Sequence, residues 1–316
     1  RMLWAAQITE GSALLIEAIG EPAAEAKLAA ICQELAESVR LLDRPPAVDL
    51  AAAERFGQTI LKQLAEKGLS RWWSQQRTIE WFLIREVAGS SGLLWARRQG
   101  RREAGKVWFE TAQRYLRRLG GRSYIYSGQR SVSDERLETF ESRELMQYQT
   151  PFRTGTLQVR VVRPEGGRLV LQTVVSRRGE LSGRWPASQN LLPAVCEELA
   201  YFLVAKHERG EAALFESASL SGRGPCTVLV RPMATDSLQP GRLQKRLAAV
   251  CLVQRDFDPE PTIYLFAADG SLLEVRYGDG QVVQSRSSWQ EVSIAFAKPD
   301  ELLARPLPQA PSLPPQ

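Results

Sequence analysis

Histidine is almost absent from this sequence, because His207 is the only one in 316 residues. A serine-type triad needs a histidine base, and histidine is a common ligand of catalytic zinc. We therefore predict neither a histidine-based catalytic centre nor a two-histidine zinc site. His207 follows a predicted helix, where a cation favours the carboxyl end of the helix dipole, so we expect a surface or capping role for it.

The nucleotide and hydrolase motifs are missing as well. The chain has no Gly-x-x-x-x-Gly-Lys-Ser loop, no Gly-x-Gly-x-x-Gly turn and no Gly-x-Ser-x-Gly elbow. Paired carboxylates occur at Glu197–Glu198 and in the acidic stretch 256–260, which lacks the calcium-loop pattern. We therefore predict no cofactor, no metal site and no catalytic residue, and we favour a non-enzymatic role over an enzyme of unfamiliar type.

Cysteines are few and scattered, with no paired spacing that would indicate zinc binding or a disulfide scaffold. The four are Cys32, Cys196, Cys226 and Cys251. Free cysteine is among the most buried residue types, so we expect core positions. A bridge between Cys226 and Cys251 on neighbouring strands is the alternative.

Long apolar runs are lacking too. The most apolar stretch, residues 2–20, is interrupted by Gln7, Glu10 and Glu17, so no transmembrane segment is predicted. The sequence begins at Arg1 rather than at methionine, which leaves open a preceding signal peptide or anchor.

Positive charge is abundant but uneven. Residues 1–66 carry six basic and ten acidic side chains, a net −4, whereas residues 67–120 carry twelve and four, a net +8. We call residues 97–118 the basic segment. Its basic residues are Arg97, Arg98, Arg101, Arg102, Lys106, Arg114, Arg117 and Arg118.

Aromatic residues lie among these cations, at Trp95, Trp108 and Tyr115. A basic aromatic helix can bind nucleic acid, another anionic polymer or an anionic membrane surface. Aromatics at helical spacing more often face a core while arginines cover the solvated face, so this function is the alternative rather than the favoured one.

Helical spacing of apolar residues runs through the first 120 residues. The spacing predicts helices over 28–42, from Asp49 as N-cap through Leu64, over 70–87 and over 93–119. The first two are expected to pack as an antiparallel hairpin. Gly120–Gly121 is the predicted boundary of this helical domain, residues 1–120.

Beyond the glycine pair, apolar residues fall at every second position, which is typical of strands with one solvated face. Residues 157–161 and 169–175 are expected to form a hairpin. Further strands are expected near 213–216, 226–231, 247–254, 263–266, 272–277, 282–285 and 291–296.

One helix is predicted to interrupt these strands, over residues 191–206, with Asn190 as its N-cap and Pro193 in its first turn. It should lie across one face of the sheet. Residues 299–316 contain a run of prolines and are expected to form an extended tail.

The sequence thus predicts an α+β fold: an N-terminal helical part, then a twisted antiparallel sheet of about eight to ten strands, meander-like or half-barrel-like, over 121–298 with one helix packed on it. This shape looks like the open sheets of bacterial envelope carrier and lipoprotein-type domains. The favoured function is an envelope-associated or periplasmic binding or structural protein. Its sheet would hold an apolar ligand or a partner chain, and its helical part would serve assembly.

Overall fold

The computed structural model describes residues 2–9, 12–18, 48–71, 78–86, 89–103, 106–120, 123–149, 154–165, 168–175, 179–186, 188–217, 226–235, 246–255, 260–278, 280 and 282–296. It divides into two compact units, residues 1–48 and 49–316. The first contains an antiparallel hairpin of β1 (Met2–Thr9) and β2 (Ser12–Ala18). The helix predicted over 28–42 lies outside the described residues.

The second unit is mostly sheet with a few helices. Its helices are α1 (Leu50–Lys67), α2 (Glu197–Ala205) and α3 (Trp289–Ala295), and short 3-10 turns occupy Leu69–Arg71 and Ala194–Cys196. Its strands are β3 (Thr78–Glu86), β4 (Gly89–Glu103), β5 (Lys106–Gly120), β6 (Ser123–Asp134), β7 (Phe140–Gln149), β8 (Thr154–Glu165), β9 (Arg168–Val175), β10 (Gly179–Pro186), β11 (Leu191–Leu192), β12 (Ala213–Ser217), β13 (Cys226–Met233), β14 (Leu247–Arg255), β15 (Thr262–Ala267), β16 (Leu272–Tyr277) and β17 (Val282–Ser287).

These strands form one 15-stranded sheet in the described part of the chain, in the order β10-β9-β8-β7-β6-β5-β4-β3-β17-β16-β15-β14-β13-β12-β11. Strands β3–β10 make one antiparallel meander and β12–β17 make another. The two meanders join edge to edge where β3 pairs with β17. The short β11 adds to β12 in parallel.

The sheet curves around α2. The turn and helix over 194–205 contact β5 and β6 on one side and β13 and β14 on the other. In a flat sheet β5 and β13 would lie roughly 34 Å apart at ~4.8 Å per strand, about three times the diameter of a helix. The sheet is therefore curved, and it has more strands than the eight to ten that the sequence predicts.

We call the face that packs against α1 and α2 the inner face, and the opposite face the outer face. The inner core combines Phe56 and Ile60 of α1 with Phe202 of α2 and strand residues such as Phe109 and Phe215. On the outer face, Val292 of α3 and the following Phe296 pack over Leu83, Leu93 and Leu116.

Helix α1 begins as the sequence predicts. The Asp49 carboxylate accepts hydrogen bonds from the amides of Ala51 (3.0 Å) and Ala52 (3.1 Å), which satisfies donors left free at a helix start. Gly57 faces β12, where an added Cβ would lie 2.2 Å from the Leu214 carbonyl oxygen. The missing side chain therefore lets helix and strand approach closely.

The helices predicted over 70–87 and 93–119 are wrong, because residues 78–120 form β3, β4 and β5. These strands are buried on both faces: Phe82 packs in the inner core and Leu83 in the outer one. Burial on both faces places apolar side chains at consecutive positions and removes the alternation by which strands are recognised.

Two signals in the sequence favour strands over this stretch. Glu103 pairs with Lys106, so only two residues separate β4 from β5 in the sequence. One of these two is a glycine, a residue that is common in two-residue hairpin loops. The stretch is also rich in aromatic residues and contains Thr111, both of which favour strands. The predicted boundary at Gly120–Gly121 has strands on either side, because Gly120 of β5 pairs with Ser123 of β6.

The strand predicted over 291–296 is also wrong, because this region forms α3. Ser288 and Glu291 make a reciprocal capping box: the Glu291 amide donates to Ser288 Oγ (3.2 Å), and the Ser288 amide donates to Glu291 Oε2 (2.8 Å). A Ser followed three residues later by Glu is the sequence signature of this cap.

The hairpin of 157–161 with 169–175 and the predicted strands from 213 to 285 are confirmed within β8, β9 and β12–β17. The helix predicted over 191–206 is present as α2, but it begins later. Asn190 does not cap this helix. Its side-chain Nδ2 donates to the backbone carbonyls of Glu54 (3.3 Å) and Leu214 (3.2 Å) and so joins α1 to β12. The predicted tail over 299–316 lies outside the described residues.

Cys196, Cys226 and Cys251 are free and buried, as the core interpretation predicts, whereas Cys32 lies outside the described residues. His207 follows α2, and its ring packs on Phe56 with 4.5 Å between centroids. No helix among the described residues has both the length and the apolar character to cross a bilayer.

Candidate ligand cavity

A cavity of about 200 Å³ lies on the inner face between α2 and the curved sheet. Strands β4, β5 and β6 line one side, strands β15, β16 and β17 line the other, and the start of α2 covers it. The cavity lies on the helix-covered face of the sheet, where the sequence predicts a binding site, and it is partly open to solvent. Its chemistry is polar rather than apolar.

Neutral polar side chains form the wall on β5, β6 and β17. Thr111 and Gln113 are alternate residues of β5, and Gln113 pairs with Gln129 across the β5–β6 ladder, so all three share one face. Gln129 donates to Ser142 Oγ at 3.4 Å. Thr111 and Gln113 have no hydrogen-bond partner among the described residues, which leaves their polar groups available to a ligand.

Three tyrosines line the cavity. The rings of Tyr201 and Tyr264 meet edge to face with centroids 5.2 Å apart. Tyr277 is 40% exposed, but its hydroxyl donates at 3.2 Å to Oε1 of the buried Gln284, so the hydroxyl lies on the inward side of this partly exposed residue. Burial raises the pKa of Tyr201 and of Tyr264, with a further contribution from the Glu197 charge, so both hydroxyls stay protonated.

An ion-pair chain crosses one side of the cavity. Arg98 Nη1 lies 3.1 Å from Glu80 Oε2, and Arg98 Nη2 donates to Glu198 Oε2. The other oxygen of Glu80 lies 3.2 Å from Arg286 Nη2. Residues of β3, β4, β17 and α2 are therefore held together by opposite charges in a largely buried place.

A second ion pair holds the start of α2. Glu197 Oε2 accepts from Arg255 Nη2 at 3.3 Å, and Glu197 Oε1 accepts from Ser217 Oγ. Arg255 Nη2 also donates to the Tyr201 hydroxyl at 3.2 Å. Two acidic residues in the first turn suit the positive end of the helix dipole.

The buried carboxyl of Glu198 has a shifted pKa. Burial raises the pKa of Glu198, and the neighbouring Glu80 and Glu197 charges raise it further, while Arg98 opposes the shift. Burial disfavours the charge on Arg98, yet Glu198 and Glu80 raise the pKa of Arg98 above its usual value. Glu198 therefore takes up a proton more readily than an ordinary glutamate does.

The charged groups around the cavity balance. Three arginines, Arg98, Arg255 and Arg286, pair with three glutamates, Glu80, Glu197 and Glu198. The lining that remains for a ligand is neutral: amides, hydroxyls and a few apolar side chains. Among the described residues, no group of three or more histidine, cysteine or acidic side chains is arranged to hold a metal ion.

The basic segment does not form one surface. Strand alternation places Arg98, Arg102 and Arg117 on the inner side and Arg97, Lys106, Arg114 and Arg118 on the outer side, whereas the side chain of Arg101 lies outside the described part of the structure. Several of these arginines contact an acidic or an aromatic side chain. Arg97 binds Glu110 (2.6 Å), Arg117 binds Glu86 (3.2 Å), Arg114 lies over Trp95 (4.8 Å) and Arg118 lies over Phe296 (5.2 Å).

Sequence analysis identified the adjacent carboxylates Glu197–Glu198 but assigned them no role, and it missed Arg255, Tyr201 and Tyr264. A signal for Arg255 exists in β14. It shares the inner face with Cys251 and Val253, both buried apolar positions, so a charged residue in that register requires a buried partner.

No protein-family model matches the chain, and no curated protein matches it. Among solved structures, it is similar to a crystal structure of a beta-barrel-like protein of the domain of unknown function DUF1849 from Brucella abortus. The two are 11% identical with a TM-score of 0.44, over 67% of this chain and 94% of the other.

Proposed function

We propose that this chain is a non-enzymatic binding protein that holds a small ligand in the cavity beside α2. The observation that supports this proposal is a cavity, partly open to solvent, lined by hydrogen-bonding side chains, of which Thr111 and Gln113 have no partner within the described part of the chain. Both side chains are partly exposed towards the cavity, so a ligand with hydrogen-bonding groups can bind them in place of water.

The sequence predicts an apolar ligand or a partner chain. The lining supports a ligand with hydrogen-bonding groups instead, because a purely apolar molecule would cover amides and hydroxyls without replacing their bonds to water, at about 1–3 kcal/mol for each group. The apolar side chains Leu94, Leu272 and Val275 suit the carbon skeleton of such a ligand. An envelope location, and assembly through the N-terminal part, stay predictions from the sequence.

Native mass spectrometry tests the proposal. Protein purified from the cells that express it is compared before and after unfolding, and we expect a small molecule that leaves on unfolding. Thr111→Phe would fill the cavity with a residue that strands accept. This variant should fold and carry no such molecule, while Thr111→Ser keeps the hydroxyl and should retain it.

Thr227→Phe on the exposed side of β13 provides the matched control, since it adds the same ring away from the cavity. A molecule that Thr111→Phe still carries would place the ligand elsewhere. Wild-type protein that is empty under these conditions and binds nothing from a fractionated cell extract would contradict the proposal.

A second candidate is an enzyme that uses acid–base chemistry. It is favoured by one observation: Glu197 and Glu198 meet at the cavity, and the pKa of Glu198 is raised. A general acid must hold its proton near the working pH, which a raised pKa allows. Incubating the protein with its purified ligand separates the two candidates: a binding protein returns the ligand unchanged, whereas an enzyme returns a product that Glu198→Gln does not form.

Binding of an anionic polymer or an anionic membrane surface through the basic segment has less support. The exposed cations are Arg102 and Lys106 at one end of the β4–β5 hairpin and Arg117 and Arg118 at the other. Ten residues of strand separate these ends, roughly 33 Å, so they do not form one patch. Binding of DNA that weakens steeply with salt and is lost in an Arg102→Glu/Lys106→Glu variant would restore this alternative.

A further inference from the structure

The proposed cavity also constrains the chemistry of its ligand. We infer that the ligand is an uncharged, hydroxyl-rich molecule of about the size of a single sugar ring. This inference rests on the proposed binding function and specifies its ligand class.

The first step is charge. Each glutamate beside the cavity already pairs with an arginine, and the four ion pairs join three arginines to three glutamates, which leaves no net charge. A charged ligand would lose its hydration without gaining an unpaired counter-ion, and burying an ion costs several kcal/mol unless it is paired. The balanced wall therefore favours a neutral molecule.

The second step is hydrogen bonding. The free groups are the hydroxyl of Thr111 and the amide of Gln113, with Gln129 and the Tyr277–Gln284 pair beside them. An amide offers two donors and two acceptor lone pairs, and a hydroxyl both donates and accepts. Ligand hydroxyls also do both, so a polyhydroxylated ligand satisfies every one of these groups without a fixed pattern of donors and acceptors.

The third step is shape. The wall opposite the amides carries the rings of Tyr201 and Tyr264 together with Val275 and Leu272. Such a surface suits a ring whose carbon–hydrogen face is apolar while its edge carries hydroxyls, because aromatic side chains combine apolar faces with polar ends. A volume of about 200 Å³ equals the space of about seven water molecules at ~30 Å³ each, which is smaller than usual drug-sized sites.

Matched sugars test this inference because they vary charge while keeping size. Glucose, galactose and mannose are titrated against the full chain by calorimetry, in parallel with the corresponding 2-amino sugars in protonated form and the corresponding uronates. We expect at least one neutral sugar to bind and its two charged counterparts to bind at least tenfold more weakly. The inference would be overturned if either charged counterpart bound more tightly than the neutral sugar. It would also be overturned if no sugar in the set bound.

Variants then locate the binding. Gln113→Leu removes an amide of similar size and should weaken the neutral sugar about tenfold, which corresponds to ~1.4 kcal/mol for lost hydrogen bonds. Gln290→Leu, an exposed glutamine on α3, should leave affinity unchanged. Equal effects of the two variants would also contradict the inference.

Failure of this inference is distinguishable from failure of the proposed function. If no sugar binds but native mass spectrometry shows a molecule that Thr111→Phe excludes, the cavity binds a ligand of another class. If neither experiment detects a ligand, both the ligand class and the binding function are wrong.

Discussion

Arg98 on β4 and Glu198 in the first turn of α2 form an ion pair between residues 100 positions apart in the sequence. The pair connects the sheet to the helix that covers the cavity. Arg98 also binds Glu80, so one guanidinium balances two carboxylates.

Replacing Arg98 by methionine should destabilise the protein by about 3–5 kcal/mol, because Glu198 loses its arginine and the buried Glu80 keeps only Arg286. Urea unfolding measures the change. The double variant Arg98→Met/Glu198→Gln should recover part of the loss. Lys62→Met is the control: Lys62 is exposed on α1 and pairs with Glu66 at 3.7 Å, so its loss should change stability by less than about 0.5 kcal/mol. Equal effects at the two positions would contradict a structural role for the buried pair.

Glu110 should contribute to stability in a pH-dependent way. It is 1% exposed on the outer face, between Arg97 Nη2 (2.6 Å) and Arg130 Nε (3.0 Å). Burial alone would raise the pKa of Glu110, but the hydrogen bonds and charges of Arg130 and Arg97 lower it below its usual value. A carboxyl with a lower pKa in the folded state stabilises the fold above its unfolded pKa of about 4.3, and this contribution disappears as pH falls towards the folded pKa.

Glu110→Gln should therefore be less stable than wild type at pH 7 by roughly 1–3 kcal/mol, and the difference should shrink below about pH 4.3. Urea unfolding across pH checks both parts. A difference that is constant over the acid range would show that the charge of Glu110 does not matter. Glu66→Gln, an exposed glutamate of α1 that pairs with Lys62 at 3.7 Å, serves as a comparison in which the carboxylate is not buried.

Gly57→Ala should be destabilising, although glycine to alanine inside a helix normally stabilises by up to about 1 kcal/mol. The new Cβ would approach the Leu214 carbonyl oxygen to 2.2 Å, and backbone cannot move aside as a flexible side chain can. We expect a loss of about 1–3 kcal/mol by urea unfolding. Ala52→Gly, an exposed site on the same helix, should cost up to about 1 kcal/mol for propensity alone. Stabilisation by Gly57→Ala would show that α1 and β12 are less closely packed than described.

The buried thiols should be unreactive in the folded protein. Burial raises the pKa of Cys196 and of Cys251, so neither forms the thiolate that reacts with alkylating reagents. Mass spectrometry after brief treatment with iodoacetamide should find both unmodified, and modified once urea is added. Ser293→Cys on the exposed side of α3 should react at once as a positive control. Rapid modification of Cys251 without denaturant would indicate that β14 opens easily.

The sequence predicts those parts of the fold in which one face is solvated. In β12 and the first five residues of β13 every second residue is buried and those between are exposed or partly exposed, and both strands are found where predicted. Residues 78–120 do not alternate, because the inner core takes Phe82 and the outer core takes Leu83. Periodicity there carries no information on which faces are buried until the position of α3 is known.

The candidate site was predictable only in outline. Alternation and the helix over 191–206 indicate a sheet with a covered face, hence a cavity. The polar lining could not be predicted. Thr111 and Gln113 lie in a segment expected to be helical, and they line the same cavity as residues such as Tyr264, which is more than 150 positions away in the sequence. A polar residue within a strand can be recognised as a site residue only when it is known which face of the sheet it occupies.

The joining of the meanders at β3 and β17 bears on how the chain reaches its native state. The hydrogen bond from Arg85 Nη1 to Ser285 Oγ spans 200 positions, and the strand pairing beside it spans a similar separation. During synthesis β3 is complete long before β17 leaves the ribosome. Until then the edge of β3 that pairs with β17 is unpaired, and Phe82 and Leu83 lie on the two faces of this strand. Contacts of such long range slow folding, and unpaired edges invite association with other chains. The last strand of the sheet is therefore the one that protects the first from aggregation.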